Sequence, residues 1–176
     1  MATFSAEADV RPVQDDADEH LATVIDGVLG EMSEFHQLHG SYAQGVGPRT
    51  AVLPHGWLDR LVPISSEATS YCIGWCLDVH DLCASKLLAN RTKDHTFVRG
   101  LIEGNLVDVT TLRDRLASTT ADERVAVAAQ TFLATFPDNS ARYVAAALPV
   151  VDLSDPSHPR NLISEDGLEV NVAEEL

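Results

Sequence analysis

The hydrophobic period of this chain changes once, near Asp78, and that change limits the fold more than any other feature. Before it, apolar and polar residues alternate over short runs, which is the two-residue period of a half-buried strand. After it, apolar residues recur at three- and four-residue spacing, the mark of amphipathic helices. A strand-rich first part followed by a helical second part predicts an α+β fold. The sheet is expected to be mixed or antiparallel, with a helix on one face.

The opening run Thr3 to Val10 puts Phe4, Ala6, Ala8 and Val10 on one side of a strand and Ser5, Glu7 and Asp9 on the other. Pro12 stops that strand. Residues 14–32 read as a helix with Leu21, Val24, Ile25, Val28 and Leu29 as its apolar stripe. The acids from Asp15 to Glu19 favour its start and Gly30 its end. "SYAQGVGPRTAVLP" reads as two short strands around a Gly-Pro turn, and "RLVPI" and "TSYCIGWC" as two more. Asp78 is an N-cap for a helix running to about Ala89, and Asn90 suits the left-handed residue that ends it. Thr92 then caps a second helix, with Phe97, Val98, Leu101 and Ile102 as its stripe and Gly104-Asn105 as its close. "VTTLRDRLAST", "TADERVAVAAQTFLATF" and "NSARYVAAAL" read as three further helices. The expected organisation is a core over 1–78, a helical region over 79–149, and an acidic, Pro-containing tail over 150–176 with room for one short strand.

Twelve Lys and Arg stand against twenty-seven Asp and Glu, a formal charge of −15. Such a chain has no general surface for nucleic acid or anionic membrane, since phosphate backbones need a positive face. A small phosphate-bearing ligand held by local cations stays open. No apolar run approaches the roughly 20 residues of a membrane-spanning helix, and the N-terminus lacks a basic-then-apolar export signal, so a cytoplasmic location is expected. Cys72, Cys76 and Cys83 with His80 spell C-x3-C-x3-H-x2-C. The spacing matches no familiar zinc finger, and plain buried thiols are expected, with no zinc.

Two constellations carry chemistry. Glu7 and Asp9 lie two apart on the first strand, so their carboxylates face one way about 6 to 7 Å apart and suit a hard cation such as Mg²⁺. The other reading is the polar face of an exposed strand. In "SKLLANRTKDHTF", Lys86, Arg91 and Lys93 hold a quarter of the positive charge, with Asp94 directly behind them. A helix break at Asn90 makes this a corner of cations that suits phosphates, because Arg offers a planar fork and Lys a point charge. The other reading is a salt-bridge corner in which Asp94 pairs with Arg91 or Lys86.

"CLDVHDLCASKLLANRTKDHTFVRGLIEGNLVD" resembles the helical signature of a bacterial family of nucleotidyltransferases of unknown function, related to AbiE-type toxins of toxin–antitoxin systems. "FHQLHGSYAQGVGPRTAVLPHGWLDRLVPI" is similar to the family's central segment, and "SAEADV" falls where its paired-acid strand lies. The resemblance runs from about Thr3 to Leu116. It implies that Glu7 and Asp9 hold Mg²⁺ against a nucleoside triphosphate, and that Lys86 and Arg91 bind phosphates. Lys93 and Asp94 would shape the corner or assist proton removal.

Members of the family carry a Gly-Ser strand and helix before the paired acids, whereas Met1 here stands two residues before the strand. "PRTAVLP" offers no third carboxylate, Asp59 follows Trp57, and Asn90 stands for the usual Gly. The expectation is therefore an N-terminally shortened nucleotidyltransferase-like protein with impaired transfer, its uncovered sheet edge favouring a homo-oligomer or a partner chain. The alternative is a non-catalytic interaction module on the same fold.

Overall fold

Two units divide the chain in the computed structural model: Met1–Thr3 with Ala51–Pro156, and Phe4–Thr50 with Ser157–Leu176. The structure describes residues 6–12, 20–65, 67, 71–143, 161–163 and 169–171. The α+β class holds, with six short strands and six helices among the described residues. None of these helices is long and apolar enough to cross a membrane.

In the second unit, strand β1 (Glu7–Val10) runs parallel to β2 (Tyr42–Gly45), joined through helices α1 (His20–Leu29) and α2 (Glu34–His39). A parallel pair needs such a crossover, because a tight turn cannot return the chain in the same direction. α1 packs on β2 through small groups. A Cβ on Gly45 would run into the Ala22 carbonyl, and the Gly45 N–H donates to Asp26 Oδ1 at 2.7 Å. Gly30 ends α1 as expected, its N–H donating to the Asp26 carbonyl at 3.0 Å.

The expected stripe of α1 is rotated. Ala22 is buried and Ile25 and Leu29 are half-buried, while Leu21, Val24 and Val28 are exposed. Close approach to a glycine strand selects the small Ala22 side, which leaves the larger residues facing out. The acids 15–19 and the first residues of the opening strand lie outside the described residues. Strands Asn161–Ile163 and Glu169–Asn171, numbered β5 and β6 for their place late in the chain, form an antiparallel pair where one short strand was expected.

In the first unit, β3 (Val62–Ile64) and β4 (Gly74–Cys76) pair antiparallel. They precede α3 (Val79–Ala89), α4 (Thr92–Glu103), α5 (Val109–Ala117) and α6 (Glu123–Leu133). Cys83, Leu87, Val98, Ile102, Leu112 and Leu133 lie at the centre of one apolar cluster built from all four helices. Asp78 caps α3 by accepting the His80 and Asp81 N–H groups, and Asn90 ends it at φ 54°. α4 closes through Asn105 at φ 56°, with the Leu106 N–H reaching the Leu101 carbonyl at 2.9 Å.

Three local expectations are corrected. The cap position of α4 is Arg91, not Thr92, because Asp94 turns back to the Arg91 side chain in place of a hydroxyl cap. Residues 46–56 form turns and irregular backbone where a second strand was expected, and Pro54, which has no N–H for a ladder, is buried there. Asn139 to Tyr143 forms a turn rather than a helix start, since the Asn139 side chain bridges the Val109 N–H and the Val107 carbonyl. The rest of that expected helix lies outside the described residues.

The glycines of the second unit make a paired test. Gly27 is mid-helix with nothing within 4 Å of an added Cβ, so Gly27→Ala should stabilise by up to about 1 kcal/mol. Gly45→Ala should destabilise by about 1 to 3 kcal/mol through overpacking. Denaturant unfolding reads both; equal effects would mean that the Ala22–Gly45 approach is slack.

Candidate functional site

Residues paired in register point to the same side of a sheet, so register decides what surrounds the acids. Glu7 pairs with Tyr42 and Asp9 with Gln44, while Ala8 pairs with Ala43 and Val10 with Gly45. The alanine–glycine face is the one α1 approaches, since Gly45 meets Ala22 there. Glu7, Asp9, Tyr42 and Gln44 therefore share the opposite face. Glu7 is half-buried and Asp9 exposed.

The His36 ring lies 4.8 Å from the Tyr42 ring, centroid to centroid. Burial, followed by the charges of Glu7, Glu31 and Asp9, pushes the Tyr42 phenol above its ordinary value of 10.0. Both acids of the strand, and a third from the turn between α1 and α2, are thus within electrostatic reach of one hydroxyl. Sequence reasoning missed Tyr42, Gln44, His36 and Glu31. Only the strand register places them, and no spacing rule carries across the intervening helices.

The cation corner lies in the other unit. Asp94 is 2% exposed and accepts Arg91 Nε at 2.6 Å and Nη2 at 3.2 Å, with Lys86 Nζ at 4.0 Å. Lys86 also lies over the Phe97 ring at 5.4 Å. Lys93 is exposed, and the Arg91 side chain is 56% exposed. Asn90 Oδ1 and His95 Nε2 meet at 3.0 Å, and Asn90, Thr92 and His95 line an open depression of about 240 Å³. Burial would push the Asp94 carboxyl up. The hydrogen bond and charge of Arg91, with the charge of Lys86, outweigh this and hold it below the usual carboxylate range.

The remaining signature residues are structural in their contacts. Asp81 has no exposed surface; Arg60 Nε and Nη2 donate to it at 2.9 and 3.0 Å, and Arg115 Nε lies 3.3 Å away. His80 is buried, with Nδ1 at 3.2 Å from Asp78 Oδ1 and Nε2 accepting the Asp108 N–H at 3.1 Å. That acceptance puts the ring proton on Nδ1. Asp108 caps α5 through the Thr111 N–H at 2.7 Å and accepts the Ser140 hydroxyl at 2.7 Å. Cys83 is buried and burial pushes its thiol up to about 12, whereas Cys72 and Cys76 are exposed. Among the described residues, no three His, Cys, Asp or Glu side chains gather as a metal-binding group.

Two measurements follow. The carboxyls of Asp78, Asp94 and Asp108 are all held low in the folded protein, each against a burial that pushes it up, by His80, by Arg91 and by Thr111 with Ser140 respectively. Their stabilisation is present above the ordinary Asp value of 3.8 and is lost as pH falls from there through the folded values. Asp94→Asn should cost about 1 to 3 kcal/mol at neutral pH and flatten the acid limb of the stability curve. Carbon NMR of the tyrosine rings should show the Tyr42 phenol titrating above 10.0, with Glu7→Gln moving it back down. An unchanged Tyr42 titration in that variant would separate the two side chains.

Residues 3–143 match the family described as nucleotidyltransferase of unknown function (DUF6036). No curated protein and no solved structure matches the chain. The match takes in both the acid strand and the whole cation corner, and on that extent the chain belongs to this nucleotidyltransferase family.

Proposed function

We propose that the acid face of β1 binds Mg²⁺ with a nucleoside triphosphate and transfers the nucleotidyl group to a hydroxyl acceptor. The observation that carries the reading is the side-by-side placement of Glu7 and Asp9 on the face turned away from α1. Two carboxylates fit Mg²⁺, which takes hard oxygen ligands and completes its shell with phosphates and water. Bound there, the ion would offset charge on the phosphoryl oxygens. The acceptor oxygen bonds to the α-phosphorus, the bond to the bridging oxygen breaks, pyrophosphate leaves and the acceptor's proton passes to water. Taken by themselves, Lys86, Arg91 and Lys93 are phosphate-binding candidates of the corner in the other unit. Asp94, buried and paired with Arg91, is assigned there as an anchor rather than a base. A toxin–antitoxin or defence setting fits the same chemistry.

A second reading, a self-associating module without catalysis, draws on one observation. Leu21, Val24 and Val28 of α1 are exposed, as are Met32 (82%) and Leu38 (72%). Light scattering tests it: a stable dimer whose properties Glu7→Gln and Asp9→Asn leave unchanged would favour this reading.

For the first reading, calorimetry with each of the four common nucleoside triphosphates and Mg²⁺ should show binding to at least one. Glu7→Gln or Asp9→Asn should weaken it by about tenfold or more without lowering Tm. Absence of heat with all four at millimolar concentration would overturn it.

A further inference from the structure

Resting on the reading of Glu7 and Asp9 as cation ligands, we propose that Tyr42 and Gln44 are positioning residues for them. The Tyr42 hydroxyl and the Gln44 amide would hold the two carboxylates in place for a divalent cation. Each lies directly across the sheet from one acid, Tyr42 from Glu7 and Gln44 from Asp9, on the same face. A cation that needs both carboxylates binds best where neighbouring groups already hold the two like charges in place. A neutral donor beside each does that without competing for the site, as a Lys or Arg there would. Groups that hydrogen-bond a ligating carboxylate commonly set metal affinity in this way.

The surroundings of Tyr42 support a held phenol rather than a loose one. The His36 ring lies against it, tilted by 49°, with centroids 4.8 Å apart. His36 is itself fixed, because its Nδ1 accepts the Met32 N–H at 3.0 Å and its own N–H donates to Ser33 Oγ at 3.1 Å. Met32 stands at φ 67°, and Gln37 Nε2 donates to its carbonyl at 3.2 Å. A left-handed methionine is a disfavoured backbone state, of the kind kept where position matters. Here its consequence is a histidine set against the tyrosine beside Glu7.

The test uses the full chain and Mn²⁺ as the probe, read by electron paramagnetic resonance and calorimetry. Tyr42→Phe keeps the ring against His36 and removes only the hydroxyl; Gln44→Ala changes an exposed position and should not disturb folding. Each should weaken Mn²⁺ binding about tenfold with Tm unchanged. If both bind Mn²⁺ as the parent does while Glu7→Gln loses it, the positioning role is wrong and the acid site stands. A parent protein that binds no Mn²⁺ at millimolar concentration overturns the acid site and this inference together.

Discussion

Asp81 is a carboxylate without exposed surface, and the helical unit is organised around it. An isolated buried charge costs several kcal/mol, so its partners are obligatory. Arg60 supplies a two-pronged hydrogen bond from the segment before β3, and Arg115 adds a second guanidinium from α5. Arg60 also donates to the His55 carbonyl, and the His55 N–H reaches the Ser118 carbonyl just past α5. One buried charge thus ties three segments distant in sequence. Removing one partner of such a group costs about 3 to 5 kcal/mol, whereas an exposed pair contributes about 0 to 1. Arg99 with Glu103, at 4.0 Å and largely solvated, belongs to the second kind.

The same economy of cations explains the corner after α3. In a chain of net charge −15, Lys86 and Arg91 face a buried Asp94, and Arg113 donates to the Leu133 and Phe136 carbonyls that close α6. Several motif cations therefore have architectural partners already in place. A motif of the form H-D-L through S-K to R-x-K-D is in large part a recipe for joining α3 to α4, α5 and the Arg60 segment. Any phosphate held by Lys86 or Arg91 must compete with Asp94 for these cations, or share them with it.

The acid strand follows a different logic, set by size rather than charge. Gly45 lets α1 approach β2 at Ala22, and the alternation of the strand then sends Glu7 and Asp9 to the other side. A methyl group at position 45 would disturb the helix face and, through the shared register, the acid face as well. The exposed Leu21, Val24 and Val28 are the outward consequence of the same close contact.

Much of this was legible in the sequence because it is local. Asp78 as a cap, Asn90 as a left-handed stop, the limits of α3 and the alternation of Glu7 and Asp9 all follow from backbone sterics and residues within a few positions of one another. The misreadings have local causes too. At α4, a carboxylate three residues on paired with a side chain instead of a cap. At 46–56, a strand-like composition pairs with no other strand among the described residues. By itself the sequence determined the α+β class, the ends of α3 and the two charged constellations, since propensity, capping and period act over a few residues. Only the tertiary structure decided that β1 and β2 run parallel with Tyr42 beside Glu7, that α1 turns its small side inward, and that Asp81 draws in both Arg60 and Arg115. Those depend on which distant groups can approach without a clash or an unpaired buried charge, and no spacing along the chain encodes that.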